Sequence, residues 1–175
     1  VSDGPGDAVD EYYHPVLSRP RAVELVGYVD VGYGDRPVGQ VLYDAALWRE
    51  WYGVTGVMLD RVPAAPREGA WSLEVVTALR EAGVDKVVAN PGTVCDPDLV
   101  AAADVTCVAE WGWDLIEAGL PLPRVPAAPE KVWHLVHGVP PDSFATARAR
   151  CTDAGAGLVY VTDATLPNPW GRLAA

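Results

Sequence analysis

Apolar positions along this chain fall into six short, nearly continuous runs: residues 23–31 (VELVGYVDV), 56–60 (GVMLD), 86–90 (KVVAN), 104–110 (DVTCVAE), 131–139 (KVWHLVHGV) and 157–163 (GLVYVTD). Runs of this length, rich in valine, predict strands buried on both faces. Between them the period changes. Leu42, Ala45, Ala46, Trp48 and Trp51 form a stripe that predicts a helix over 38–52. Ser72 is placed to cap a second helix, running to Ala82 and closed by Gly83. Asp96 or Asp98 opens a short third helix to Ala103, and 113–118 read as a helical turn. Asp142 or Ser143 caps the last helix, which ends at Ala154 before Gly155. The proline-rich segment 120–129 crosses a surface, the first twenty residues read as a loop and a short helix, and the tail from Pro167 reads as irregular.

Strand and helix therefore alternate throughout, which is the signature of an α/β fold with a parallel sheet. An open doubly wound sheet and a (β/α)8 TIM-type barrel both fit that order. A doubly wound nucleotide site wants a glycine-rich turn from strand into helix. Gly32-Tyr33-Gly34 lacks the third spaced glycine and carries a bulky ring, so no phosphate loop is expected. The barrel is favoured, with 1–175 as a single partial domain. Six units account for the chain, so roughly the first βα unit and the second strand are expected to lie upstream of Val1.

Composition narrows the chemistry. Half of the 175 residues are apolar and 21% are charged, which suits a packed globular chain. The net charge is −11, from 24 acidic and 13 basic residues, and no stretch concentrates Lys or Arg, so nucleic acid is not an expected partner. No run of 18 apolar residues marks a membrane span. Cys95, Cys107 and Cys151 show no metal-ligand spacing. Three buried free thiols are the favoured reading, with a Cys95–Cys107 bridge as the other. No metal and no cofactor are expected.

Candidate chemistry lies where polar groups interrupt the apolar runs. Asp30, Asp60, Asn90, Glu110 and Asp163 end five of the six strands, and His137 lies near the end of the other. In a parallel sheet all these ends share one rim, which is where barrel enzymes keep their sites. A single acid after a strand is usually a cap or turn former; five such groups together suggest paired-carboxylate chemistry on a glycosidic bond. Seven Trp and seven Tyr accompany one Phe. Tyr28, Tyr33, Trp111, Trp113, Tyr160 and Trp170 lie at or just beyond strand ends, where flat amphipathic rings can stack on sugars. Trp48, Trp51 and Trp133 read as packing residues. For Tyr33, Trp111 and Trp113, sugar stacking and packing at a barrel mouth both stand.

Gly27-Tyr28-Val29-Asp30, Tyr33-Gly34-x-Arg36, Trp48-x-x-Trp51-Tyr52, Gly56-Val57-Met58-Leu59-Asp60, Asn90-Pro91-Gly92-Thr93, Glu110 and Tyr160-Val161-Thr162-Asp163 together resemble the spherulation-specific family 4 (spherulin-4-like) proteins. The resemblance runs from about Gly4 to Trp170, and Ser2-Asp3-Gly4-Pro5-Gly6 resembles the remnant of a family loop that precedes the third strand. It implies a (β/α)8 barrel related to microbial exopolysaccharide glycoside hydrolases, which cut α-linked galactosamine or N-acetylgalactosamine polymers. It also implies a secreted, extracellular setting and a polysaccharide partner. By that resemblance Asp60 and Glu110 are the catalytic pair of a retaining hydrolase, with Asp60 the nucleophile or charge stabiliser and Glu110 the acid/base, or the reverse. Arg61 stands where the family carries a glutamate beside the aspartate, and a guanidinium there is expected to hold Asp60 ionised. Substrate-binding roles are expected for Tyr28, Asp30, Tyr33, Arg36, Arg61, Asn90, Trp111, Tyr160 and Asp163. The Glu-to-Arg departure leaves a second reading open, a carbohydrate-binding barrel that has lost turnover.

Overall fold

A computed structural model describes residues 4–17, 23–65 and 69–171. The elements run α1 (Tyr13–Leu17), β1 (Val26–Asp30), α2 (Val38–Tyr52), β2 (Gly56–Asp60), α3 (Gly69–Glu81), β3 (Lys86–Asn90), α4 (Pro97–Ala102), β4 (Val105–Gly112), α5 (Trp113–Glu117), β5 (Val132–His137), α6 (Phe144–Asp153) and β6 (Leu158–Val161). Short 3-10 turns cover Gly32–Gly34, Pro129–Lys131 and Pro141–Ser143. Every strand pair is parallel, and the sheet order is β1-β2-β3-β4-β5-β6 with no reversal. A doubly wound sheet reverses its order part-way; this one winds in one direction. The sheet is not closed, and β1 and β6 each pair with one neighbour among the described residues.

Sequential winding with right-handed crossovers places the helices on one face, and α2 packs on α3 and α3 on α4. Side chains alternate accordingly. Val29, Val57, Leu59, Val87 and Ala89 are buried in the cluster under α2, α3 and α4. Val108, Val132, Val136 and Val161 join Trp113, Ile116 and Cys151 in a second cluster under α5 and α6. All three cysteines are buried free thiols, and burial pushes those of Cys95 and Cys151 up to about 11. His134 is fully buried with no hydrogen-bond partner for either ring nitrogen among the described residues, and burial lowers its pKa to about 4.

The sequence expectation for α2 matches the observed bounds, and Gly53 closes that helix in the left-handed region at φ 66°. Several expected bounds are corrected, and β5 and β6 each end two residues early, at His137 and Val161, which leaves Asp163 beyond its strand. β1 begins at Val26 rather than Val23. α3 begins at Gly69, so Ser72 is a buried helix residue rather than a cap, and its hydroxyl has no partner among the described residues. β4 continues to Gly112. Of the expected amino-terminal loop remnant, Ser2 and Asp3 lie outside the described residues, as does the tail after Gly171.

Gly27 is required by the packing of α2 on β1. A β-carbon there would lie 2.4 Å from Cγ of Trp48, which is 4% exposed and donates its indole N–H to the Tyr28 carbonyl at 2.9 Å. Gly27→Ala is expected to cost about 1–3 kcal/mol by overpacking and to lower the melting temperature by several degrees, as thermal denaturation would measure.

Candidate active site

The strand register brings the polar strand ends together. Asp30 pairs with Asp60 and Asp60 with Asn90 across β1, β2 and β3. Glu110 arrives by a different device. Between Cys107 and Ala109, β4 carries one residue more than β5, with Cys107 opposite Trp133 and Ala109 opposite His134. An extra residue switches which face the following side chains take. Glu110 therefore turns to the face that carries Asp60 and Asn90, and its amide is held by the Gly92 carbonyl at 3.0 Å.

Asn90, 5% exposed, joins the two carboxylates. Its Nδ2 donates to Asp60 Oδ1 at 2.8 Å and to Glu110 Oε2 at 2.9 Å. Both amide hydrogens are thus used, and the opposite amide orientation would aim the carbonyl oxygen at two acids. Tyr28 donates its phenol to Asp60 Oδ2 at 2.8 Å. Burial first, and then the bond to Asp60, raises the Tyr28 pKa, so the phenol keeps its proton. Trp170 donates its indole N–H to Glu110 Oε1 at 2.9 Å and lies edge-on to His137 and Tyr160, 5.9 Å from each ring. Each carboxylate oxygen of the pair therefore has a donor. A cleft of about 360 Å³ opens over this group, lined by Tyr33, Asp60, Arg61, Asn90, Glu110 and His137 among others.

Arg61 does not take Asp60 as its partner, which corrects the expected charge pairing. Its Nε donates to Asp30 Oδ1 at 2.8 Å, its Nη2 bonds Asp30 Oδ2, and its guanidinium lies 5.5 Å from the centre of the Tyr33 ring. Arg61 and Tyr33 both hold positive φ, 56° in each case, and the Tyr33 amide bonds the Arg61 carbonyl at 2.7 Å. Two side-chain-bearing residues in the left-handed region store local strain at the cleft mouth. The bond from Arg61 holds the Asp30 carboxyl below its ordinary range, and the Gly32 amide lowers it further, against the opposing effect of burial. A depressed folded-state pKa contributes stability above the unfolded value, lost as pH falls through the folded value. Arg61→Ala should therefore melt below the wild type at neutral pH, and the gap should close below about pH 4; melting curves across that range measure it.

Other expected site residues are dispersed. Arg36 ties α2 to the end of β1, donating to the Asp30 carbonyl at 2.8 Å and to Asp44 at 2.9 Å. Trp111 follows Glu110 on β4, so it takes the opposite face and packs on the α5–α6 cluster rather than in the cleft. Tyr160 reaches the site through Trp170. Asp163 is exposed just beyond β6. Among the described residues no group of His, Cys, Asp and Glu could hold a metal ion, and no helix is long and apolar enough to cross a membrane.

The family model for spherulation-specific family 4 matches residues 1–175. The chain belongs to that family. It is 29% identical over 112 residues to Spherulin-4 of Physarum polycephalum, a stretch that covers 63% of this chain and 33% of the relative. The chain thus spans about a third of the length of this curated relative. It also shares its fold with the crystal structure of Aspergillus clavatus Sph3 in complex with GalNAc, at a TM-score of 0.73 and 23% identity, over 97% of this chain and 78% of Sph3.

Within this family 4 chain, Trp170 and His137 carry more of the site than the motif residues suggest. Both were visible in the sequence as a rim histidine and a late aromatic. What the sequence does not reveal is that 162–171 folds back until an indole reaches Glu110.

Proposed function

We propose that this protein is a retaining glycoside hydrolase, acting on an α-linked galactosamine or N-acetylgalactosamine polymer, with Asp60 and Glu110 as its catalytic carboxylates. The observation that carries this reading is the Asn90 clamp. Two oxygens bonded to one nitrogen at 2.8 and 2.9 Å cannot lie further apart than those two lengths end to end. That bounds the facing oxygens of the pair, and so close an approach favours the ~5–5.5 Å between carboxyl groups of retaining enzymes over the ~6.5–9.5 Å that inverting ones need for a water. The family membership, the shared fold with GalNAc-bound Sph3 and the rim aromatics support a sugar ligand. We propose also that the six strands are the larger part of a (β/α)8 barrel forming one domain, with the sequential strand order as support.

In this mechanism Glu110 gives its proton to the glycosidic oxygen while Asp60 attacks the anomeric carbon. The carbon–oxygen bond breaks, the leaving sugar departs as an alcohol, and an Asp60 glycosyl ester remains. Glu110 then takes a proton from water, whose oxygen attacks the same carbon and releases Asp60. Tyr28 and Asn90 keep donors on the Asp60 carboxylate. Trp170 orients Glu110.

Azide separates the two roles. Removing the acid/base with Glu110→Ala should leave an enzyme that azide rescues on an activated aryl glycoside, giving a glycosyl azide of retained configuration. Asp60→Ala with azide should give the inverted azide. Swapped products would reverse the assignment, and rescue of neither would count against the pair. Arg61, in the position where the resemblance implies a glutamate, favours the second reading of a sugar-binding barrel without turnover.

A further inference from the structure

We infer that the cleft continues past His137 and Leu166 into a second sugar-binding pocket built on Asp114 and Trp113. This inference rests on the glycosidase reading. A cavity of about 340 Å³ lies there, lined by Trp113, Asp114, His137, Gly138, Thr165 and Leu166. It shares His137 and Leu166 with the carboxylate cleft, so a chain of sugars lying along the rim would meet both. All six residues follow the carboxyl ends of β4, β5 or β6 or close those strands, the side on which parallel barrels bind ligands.

The pocket is made by an absent side chain. A β-carbon on Gly112 would lie 2.3 Å from Asp114 Oδ1 and 3.4 Å from His137 Cε1. Only glycine lets the carboxylate and the imidazole edge approach over that point. Its walls are tied down: the Gly138 amide bonds the Ala164 carbonyl at 2.8 Å, Val139 bonds Thr162 at 3.0 Å, and Ala164 bonds the Thr162 hydroxyl at 3.1 Å. Trp113, 6% exposed, lines the pocket and carries an indole N–H with no acceptor among the described residues. A carboxylate to accept two hydroxyls, a hydroxyl at Thr165, an imidazole and an apolar floor match what a pyranose presents: hydroxyls at its edge and C–H groups on its face. The pocket takes the neighbouring unit of the same oligosaccharide, and makes the site one for chains rather than single sugars.

The test uses Glu110→Gln to silence cleavage, with binding followed by calorimetry for GalNAc and for its α-1,4-linked tetramer. The tetramer should bind at least about tenfold tighter than GalNAc. Adding Asp114→Ala, or Gly112→Ala, which its φ of −71° accepts without backbone strain, should remove about tenfold from tetramer affinity and leave GalNAc affinity unchanged. Equal affinities for the two sugars, or a tetramer affinity untouched by both substitutions, would overturn the second pocket while the carboxylate site stands. Binding of neither sugar would count against the glycosidase reading and remove this pocket with it. Thr165→Trp, which fills the pocket from a loop, is the control should Asp114→Ala fold poorly, and it should produce the same selective loss.

Discussion

Asp60→Asn and Glu110→Gln are each expected to slow polymer cleavage by about 10³-fold or more, with sugar affinity held within a few fold. Both substitutions keep the side chain's shape. Each removes either a nucleophile or a proton carrier and leaves one neutral oxygen for the Asn90 and Tyr28 or Trp170 donors. Steady-state rates of reducing-end release, set beside binding titrations of the same variants, measure both quantities. Equal losses of affinity and of rate would mean that these carboxylates bind sugar without carrying the chemistry.

Asn90→Asp should produce the second largest effect, because it replaces a two-hydrogen donor with an acceptor between two acids. The clamp then has no proton to share, and three carboxyl groups meet in a partly buried site. A charge-assisted bond is worth about 1.5–3 kcal/mol, so losing two that hold the reacting groups should cost about 10²-fold or more in kcat. The pH profile should move as well. A like charge disfavours the ionised form, so the acidic limb of the rate profile shifts to higher pH. Asn90→Leu, which removes the donors without adding charge, should lose rate without that alkaline shift. A purely structural role for Asn90 would lower stability in both variants and leave the limb in place.

Much of this arrangement can be read from the residues. Valine-rich runs and the helical stripe of 38–52 define strands and helix because both periodicities are strong over short windows. Asp30, Asp60 and Asn90 are legible as neighbours, since each stands at or next to the end of its run and parallel register aligns the ends. Glu110 and Trp111 are adjacent on one strand, so only one of them can face the cleft. Which one is decided by the extra residue in β4, which no hydrophobic pattern in 104–110 marks. Arg61 is legible as a charge beside Asp60 but not as the partner of Asp30. Its positive φ swings the side chain toward β1, and backbone conformation of that kind is not encoded in residue type when the residue is not glycine. Trp170 is 60 residues from Glu110 in sequence, and its place there depends on a return of the chain that only tertiary structure supplies.

Arg61→Glu follows from the same geometry. It would return the acid that the family resemblance implies, and it would also break the guanidinium bonds on Asp30 and set two acids against each other. Its effect on cleavage therefore reads whether the Arg61–Asp30 pair obstructs the cleft or shapes it.

The most direct test of the central claim is a proton NMR time course of this protein with an α-1,4-linked N-acetylgalactosamine oligomer, following the anomeric configuration of the first reducing ends released. A retaining pair held by Asn90 predicts that α-configured ends appear first and then mutarotate. First release of β-configured ends would contradict the retaining geometry, and bound oligomer with no new reducing ends would contradict hydrolysis itself.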